Sequence, residues 1–190
     1  MSGRRYAEDF NMEFYDVIRT RRSIRKYQDK EIPEDVLMRV LDAGRIAPSG
    51  SNRQPWRFVV VKDKDKRQQI AEACYGQKFI AEAPVVLVCC SIRCTSGYEP
   101  WKEAAGPRDV IIAIDHITLA ARNEGLGTCW IGALYPKEVA RIVNVPEDID
   151  VIMVLPIGYP LSDEMFTGKT SRKSMEEIVF YEEYGKGGTV

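Results

Sequence analysis

Three guanidinium groups and a hydroxyl fall within five residues at Arg21, Arg22, Ser23 and Arg25. Arginine presents parallel N–H pairs that match phosphate oxygens, so the cluster suits one phosphate. Taken alone, the same run also describes a solvated basic face or a nucleic-acid contact. Further along, Asn52 and Gln54 flank a turn that runs into Pro55. Their carboxamides carry donors and acceptors, which suits the mixed edge of a pyrimidine-type ring, although a turn also uses such groups to satisfy its own backbone. Gly125, Gly127 and Gly132 would let the backbone approach a flat ring, or mark only a helix stop and a turn. Arg172 and Lys173, after a polar loop near the C-terminus, offer a second cationic contact to a phosphate, at a place where exposed basic residues commonly do nothing specific.

Other chemistries find less support. The five cysteines, Cys74, Cys89, Cys90, Cys94 and Cys129, show no CxxC spacing and read as buried free thiols, with Cys89 and Cys90 facing opposite sides of a strand. The single histidine, His116, lies in an apolar helix and reads as a core or interface residue; no metal site is expected, because zinc needs three or four suitable ligands. Lys and Arg number 27 against 28 Asp and Glu, so no global field draws the surface to nucleic acid or anionic lipid. Apolar runs are short, well under the roughly 20 residues that cross a bilayer, so no membrane partner is expected. The segment before Phe14 lacks the apolar stretch of a secretory signal, which predicts a flexible N-terminus over 1–11 and a cytoplasmic protein.

These candidate residues need elements to hold them. At 190 residues, with 45% hydrophobic and 29% charged residues, the chain predicts one ordered domain. A short amphipathic helix over Phe14–Thr20 leads into the basic cluster. Pro33, Glu34 and Asp35 begin a second helix that should end near Ala47. Pro48 to Asn52 forms a turn-rich loop that delivers Trp56, read as core, into a buried strand over Phe58 to Val61. Asp63 to Tyr75 has helical spacing, Pro84 to Ser91 is an apolar strand, and Arg93 to Gly106 is irregular, which suits a lid in which Tyr98 and Trp101 either cover a substrate or pack. From Asp109 so many positions are apolar that the helix should be almost wholly buried, ending at Gly125. A short helix over Pro136 to Val143 follows, then a strand over Val151 to Ile157, where Pro156 argues for a strand end or a sheet edge. Strands set between helices predict an α+β or α/β fold.

In order and spacing, RTRRSIRKY (Arg19 to Tyr27), APSGSNRQPWRFVVV (Ala47 to Val61), GLGTCWIGAL (Gly125 to Leu134), LPIGYP (Leu155 to Pro160) and RKSMEEIVF (Arg172 to Phe180) resemble the nitroreductase family. The resemblance runs from Phe14 to about Tyr184. It implies an α+β, three-layer fold with a mainly antiparallel sheet wrapped by helices. It also implies a homodimer whose C-terminal extension, 160–190, reaches the partner subunit, with FMN bound at the interface. By the same resemblance Arg21, Arg22, Ser23 and Arg25 match phosphate and ribityl contacts, and Arg22 or Arg25 also reaches the ring edge. Pro48, Ser49, Ser51, Asn52 and Gln54 match the loop that holds the ring, supplied by the other subunit. Trp130, Ile131 and Gly132 match backbone beside the ring, and Arg172 and, more weakly, Lys173 match a further phosphate contact.

The activity so implied is ping-pong reduction of nitroaromatics, quinones or similar small acceptors by NADH or NADPH, with no catalytic side chain because the cofactor carries the chemistry. Positive charge from Arg22 or Arg25 near the ring would raise its reduction potential. The fold also hosts dehalogenation and flavin fragmentation, and a non-catalytic flavin-binding protein is a further alternative. The segment between Ser91 and Arg108 is short, which leaves the acceptor open.

Overall fold

The computed structural model describes residues 12–93, 101–168 and 170–186. The expectations for residues 1–11, for Cys94 and for Tyr98 lie outside these residues. Four strands form one sheet in the order β1-β2-β4-β3: β1 (Trp56–Val61), β2 (Val85–Ile92), β3 (Gly127–Thr128) and β4 (Ile149–Gly158). All the pairings are antiparallel. Helices α1 (Phe14–Thr20), α2 (Glu34–Arg45), α3 (Lys64–Ala73), α4 (Phe79–Glu82), α5 (Trp101–Asn123), α6 (Pro136–Ile142) and α7 (Met175–Ile178) complete the chain. Among the described residues no helix is long and apolar enough to cross a membrane.

The sheet separates two cores, which gives the three layers. On one side Val85, Leu87 and Cys89 of β2 pack with Leu37 and Val40 of α2 and Val110, Ala113, Ile114 and Ile117 of α5. On the other side Val86, Val88 and Cys90 meet Ile70 of α3, Ile80 of α4 and Val139 of α6. Alternate β2 side chains point to opposite faces, so Cys89 and Cys90 enter different cores, as their adjacency predicts. Both are free and buried, as are Cys74 and Cys129. Burying side chains such as Ile114 and Ile117 stabilises the fold by about 1.5–3 kcal/mol each.

Several expectations are corrected by this arrangement. The strand expected to be buried over Phe58 to Val61 is an edge strand, with Phe58 and Val59 half-buried and Val60 exposed. Residues 101–106, read as irregular, open α5, and Pro107 sits inside that helix. The helix is not wholly buried either: Ile112 and Asp115 are exposed and His116 is half-buried.

Pro156 lies in a central strand, not at an edge. Val154 exchanges both backbone bonds with Ile131. Two residues on, Pro156 turns toward the same neighbour, where ladder pairing lapses between Thr128 and Ile131. The pairs Thr128 with Ile157 and Ile131 with Val154 keep one register, so Pro156 stands opposite Cys129 and its missing N–H accounts for the gap in the ladder there.

Candidate functional site

The basic cluster runs alongside β3. Ser23 bridges Thr128 in parallel, and the Ile24 N–H donates to the Thr128 carbonyl at 2.9 Å. Ile24 is buried against Gly127, where a built Cβ would lie 2.4 Å from Ile24 Cγ1. The bare backbone at Gly127 thus makes room for Ile24. With Ile24 turned inward, alternation turns Ser23 and Arg25 outward, and both are exposed. The buried Tyr27 hydroxyl donates to the Ile24 carbonyl at 2.7 Å, and burial pushes its phenol well above the ordinary value. Bonds from Gln28 N–H to the Tyr159 carbonyl and from Leu161 N–H to the Lys26 carbonyl fasten the segment beyond β4.

Burial pushes the Cys129 thiol up, while Arg25, a hydrogen bond from Ser23, and Arg21 pull the other way. Neither Arg21 nor Arg25 pairs with a carboxylate among the described residues. Arg25 instead holds its guanidinium 6.0 Å from the Phe79 ring centroid. Arg22 differs from both. It donates to the carbonyls of Arg19 at 2.6 Å, Arg21 at 2.9 Å and Gly168 at 3.2 and 3.3 Å, so it fastens the turn after α1 to the far end of the chain.

Past Cys129 the alternation continues. Cys129 and Ile131 face the α3 and α6 side, while Trp130 packs toward α5. Its indole Nε1–H donates to the buried Thr118 hydroxyl at 2.8 Å, which fixes the ring on the core helix. Ile131 is held by its two bonds to Val154, at 3.0 and 3.2 Å. Gly132 is exposed, with no heavy atom within 4 Å of a built Cβ. The strand edge is therefore firmly anchored but open just beyond Trp130.

The loop after α2 is strained. Ser51, Asn52 and Gln54 have φ of 52°, 55° and 50°. Asparagine tolerates this left-handed region, whereas serine and glutamine enter it at a cost and persist only where surroundings hold them. Gln54 N–H donates to Ser49 Oγ at 2.9 Å, and Gln54 Nε2 reaches the Asn52 carbonyl and Oδ1, both at 3.1 Å. Gly50 N–H donates to both carboxylate oxygens of buried Asp109 on α5, at 3.3 and 3.2 Å. Pro48 and residues 51 to 54 are exposed.

Within the protomer, no hydrogen bond or ion pair among the described residues joins the 21–25 segment to the 48–54 loop. Arg172 and Lys173 stand on an exposed stretch, where Arg172 Nη1 donates to the Ser171 carbonyl at 2.8 Å. Asp109, Thr118 and Cys129 were not singled out from the sequence as site residues. The available signal was an acid and a hydroxyl on an otherwise apolar helix face. No group of three or more histidine, cysteine or acidic side chains among the described residues could hold a metal ion.

The family model described as nitroreductase family matches residues 18–104 and 75–159. The chain belongs to the nitroreductase family. This nitroreductase-family chain is 38% identical over 157 residues, 78% of each chain, to a protein of Methanothermobacter thermautotrophicus provisionally named NADH dehydrogenase/NAD(P)H nitroreductase. It is 30% identical to the FMN reductase [NAD(P)H] of Bacillus subtilis, across 86% of this chain and 71% of that one. The crystal structure of a nitroreductase family protein from Clostridium novyi superposes with a TM-score of 0.75 at 30% identity, covering 93% of this chain and 97% of that one. Other relatives are named for different reactions. An iodotyrosine deiodinase of Thermotoga neapolitana is 27% identical, covering 77% of this chain and 88% of its own. A 5,6-dimethylbenzimidazole synthase of Rhodospirillum rubrum is 30% identical, over 74% and 78%.

Proposed function

We propose that this nitroreductase-family protein is an FMN-dependent NAD(P)H oxidoreductase, acting as a homodimer on a small acceptor such as a nitroaromatic or quinone. The observation that carries the reading is the seam between the basic segment and β3. There Arg21 and Arg25, without carboxylate partners among the described residues, flank Ser23 where it bridges Thr128, on a strand that runs on to an anchored but open edge at Gly132. The donor set suits an anionic heteroaromatic cofactor: guanidinium and hydroxyl groups for a phosphate and its ribityl chain, and the carboxamides of Asn52 and Gln54 for a ring edge.

FMN, when bound, supplies the two-electron redox chemistry, so no nucleophilic side chain is required. Arg21 and Arg25 would hold the phosphate, and Arg25 would also favour negative charge near the ring. Ser49, Ser51, Asn52 and Gln54, with Pro48, form a preshaped loop that keeps its polar groups ready. Trp130, Ile131 and Gly132 present a fixed backbone wall. Arg172 and Lys173 bring further positive charge from the C-terminal segment.

Three features support the dimer. No hydrogen bond or ion pair among the described residues joins the loop to the basic segment within one protomer, which leaves room for a partner's loop to complete the set. Phe14 and Tyr15 of α1, Met38 of α2 and Ile112 of α5 leave apolar side chains in solvent. The C-terminal segment exposes Met175, Ile178 and Tyr181, which suits an arm lying on a neighbour.

The test is an anaerobic absorbance spectrum of the FMN-reconstituted protein, followed on adding NADH or NADPH and then a quinone or nitroaromatic. Flavin bands that bleach with nicotinamide and return with acceptor support the reading. Bound flavin that stays oxidised points to a binding protein or another of the family's chemistries, and failure to bind FMN overturns the proposal.

A further inference from the structure

We infer that Asp109 is a positioning residue: through Gly50 it holds the 48–54 loop in the shape that presents Asn52 and Gln54 to the cofactor. Its bearing on the cofactor rests on the proposed function; its hold on the loop does not. Asp109 is 7% exposed, and both of its oxygens accept from one backbone N–H. A buried carboxylate is costly unless hydrogen-bonded, and N–H bonds to a charged acceptor are roughly twice as strong as neutral ones.

The loop needs such a tie. Its other bonds among the described residues are short-range, from Asn52 N–H to the Ser49 carbonyl, from Arg53 N–H to the Gly50 carbonyl, from Gln54 to Ser49 and Asn52, and from Arg57 to the Gln54 carbonyl, whereas the Gly50 bond spans 59 residues to the core helix. Three non-glycine residues in left-handed conformation would relax if that anchor were lost. Around Asp109, the next residues of α5 carry the buried stripe Val110, Ala113 and Ile114, so the carboxylate is mounted on a helix packed into the core. The geometry places the acceptor on a rigid helix and the donor at the start of the strained turn.

Two variants cut this contact from opposite ends. Asp109→Ala removes the acceptor. Gly50→Pro removes the donor: a Cβ at residue 50 would meet nothing nearer than Asp109 Oδ2 at 3.8 Å, and Ser49 before it is extended, with φ −144° and ψ 156°, as a residue before proline prefers. Asp109→Asn retains one acceptor oxygen and should fall between wild type and Asp109→Ala.

The primary measurement uses cofactor-free protein. Amide hydrogen exchange over residues 51–54 and tryptic cleavage after Arg53 should both speed up on the order of tenfold in Asp109→Ala and in Gly50→Pro, as expected for loss of a local anchor. FMN titration of the same proteins should show affinity weakened about tenfold, equivalent to ~1.4 kcal/mol, with a shifted visible band for the flavin that does bind. Unchanged exchange in both variants overturns the inference. Faster exchange with unchanged FMN affinity and spectrum removes the cofactor role and leaves only a structural tie. If wild-type protein binds no FMN, the proposed function fails while the exchange data still judge the hold on the loop.

Discussion

Substituting Gly127 by alanine tests whether the seam between the basic segment and β3 governs both stability and cofactor binding. A Cβ at residue 127 would lie 2.4 Å from Ile24 Cγ1, 2.6 Å from Ile24 Cβ and 2.9 Å from Ile24 Cγ2. The contact with Cβ is decisive. No rotamer moves that atom, so relief requires the backbones of Ile24 and Gly127 to part by about 1 Å, across the Ile24 to Thr128 hydrogen bond. Overpacking of this kind costs about 1–3 kcal/mol, and a contact fixed to the backbone belongs at the upper end. For a chain of this size that corresponds to a fall in Tm of roughly 4–12 °C. FMN affinity should fall with it, because Ser23 and Arg25 flank Ile24. Pairing the change with Ile24→Ala, which alone costs about 2–5 kcal/mol, should give a double variant less destabilised than the sum. Gly132→Ala is the control: its Cβ meets open space, so stability should stay within about 0.5 kcal/mol. A Gly127→Ala protein that melts and binds FMN like wild type would refute this account of the seam.

Further expectations concern charge, the indole and the thiols. Arg25→Gln should weaken FMN binding and lower the flavin midpoint potential, since positive charge stabilises the reduced, more anionic state; titration and potentiometry that find both unmoved would remove Arg25 from the site. Trp130→Phe deletes the donor to buried Thr118 and should destabilise the protein by about 1 kcal/mol; a Tm equal to wild type would show the indole bond to be dispensable. Burial raises the Cys74 thiol to about 12 and the Cys90 thiol to about 11 from an ordinary 9.0. Folded thiols keep protons that an unfolded chain releases, so their contribution is complete below pH 9.0 and is lost as pH rises toward those values. The melting temperature should therefore fall through that alkaline window, and replacing Cys74 and Cys90 by alanine should flatten the fall; an equally steep fall in that variant would assign it to other groups, such as Tyr27.

Where local pattern and tertiary demand coincide, the fold was legible. The bounds of α1 came directly from the sequence, and the apolar run ending at Ser91 is the central strand β2. Pro156 misled because a proline rule about edges assumes continuous pairing, and here the neighbouring strand breaks its ladder opposite the proline. Phe58 to Val61 read as buried because β-branched runs look alike whether or not another strand lies beyond them. For the candidate site, residue type drew attention to Arg21, Ser23 and Arg25, which the fold sets alongside β3 through the Ser23 bridge to Thr128. It did not separate Arg22, whose guanidinium is taken up by backbone carbonyls, because those carbonyls come from Arg19, Arg21 and distant Gly168. Nor did it reveal strain in the 48–54 loop, since serine and glutamine carry no signature of left-handed backbone.

Helix α5 explains how these dispersed pieces keep a common frame. Read as an apolar pattern it is only core, yet three of its polar residues each hold a different segment. Asp109 takes the Gly50 amide, Thr118 takes the Trp130 indole, and Arg122 donates to Thr20 Oγ1 at 2.9 Å, immediately before the basic cluster. Just beyond its end Glu124 receives Arg39 of α2 in a bidentate pair at 2.8 and 2.9 Å. From Asp109 to Arg122 is 13 residues of helix, about 20 Å at 1.5 Å per residue, so one rigid rod spans the loop, the indole and the basic segment. The apolar stripe fixes that rod in the core, and the polar residues carry its position outward to the parts that meet the cofactor. A substitution that shifts α5 along its axis would therefore displace all of these contacts together, whereas one at a single polar residue would release one segment and leave the others in place.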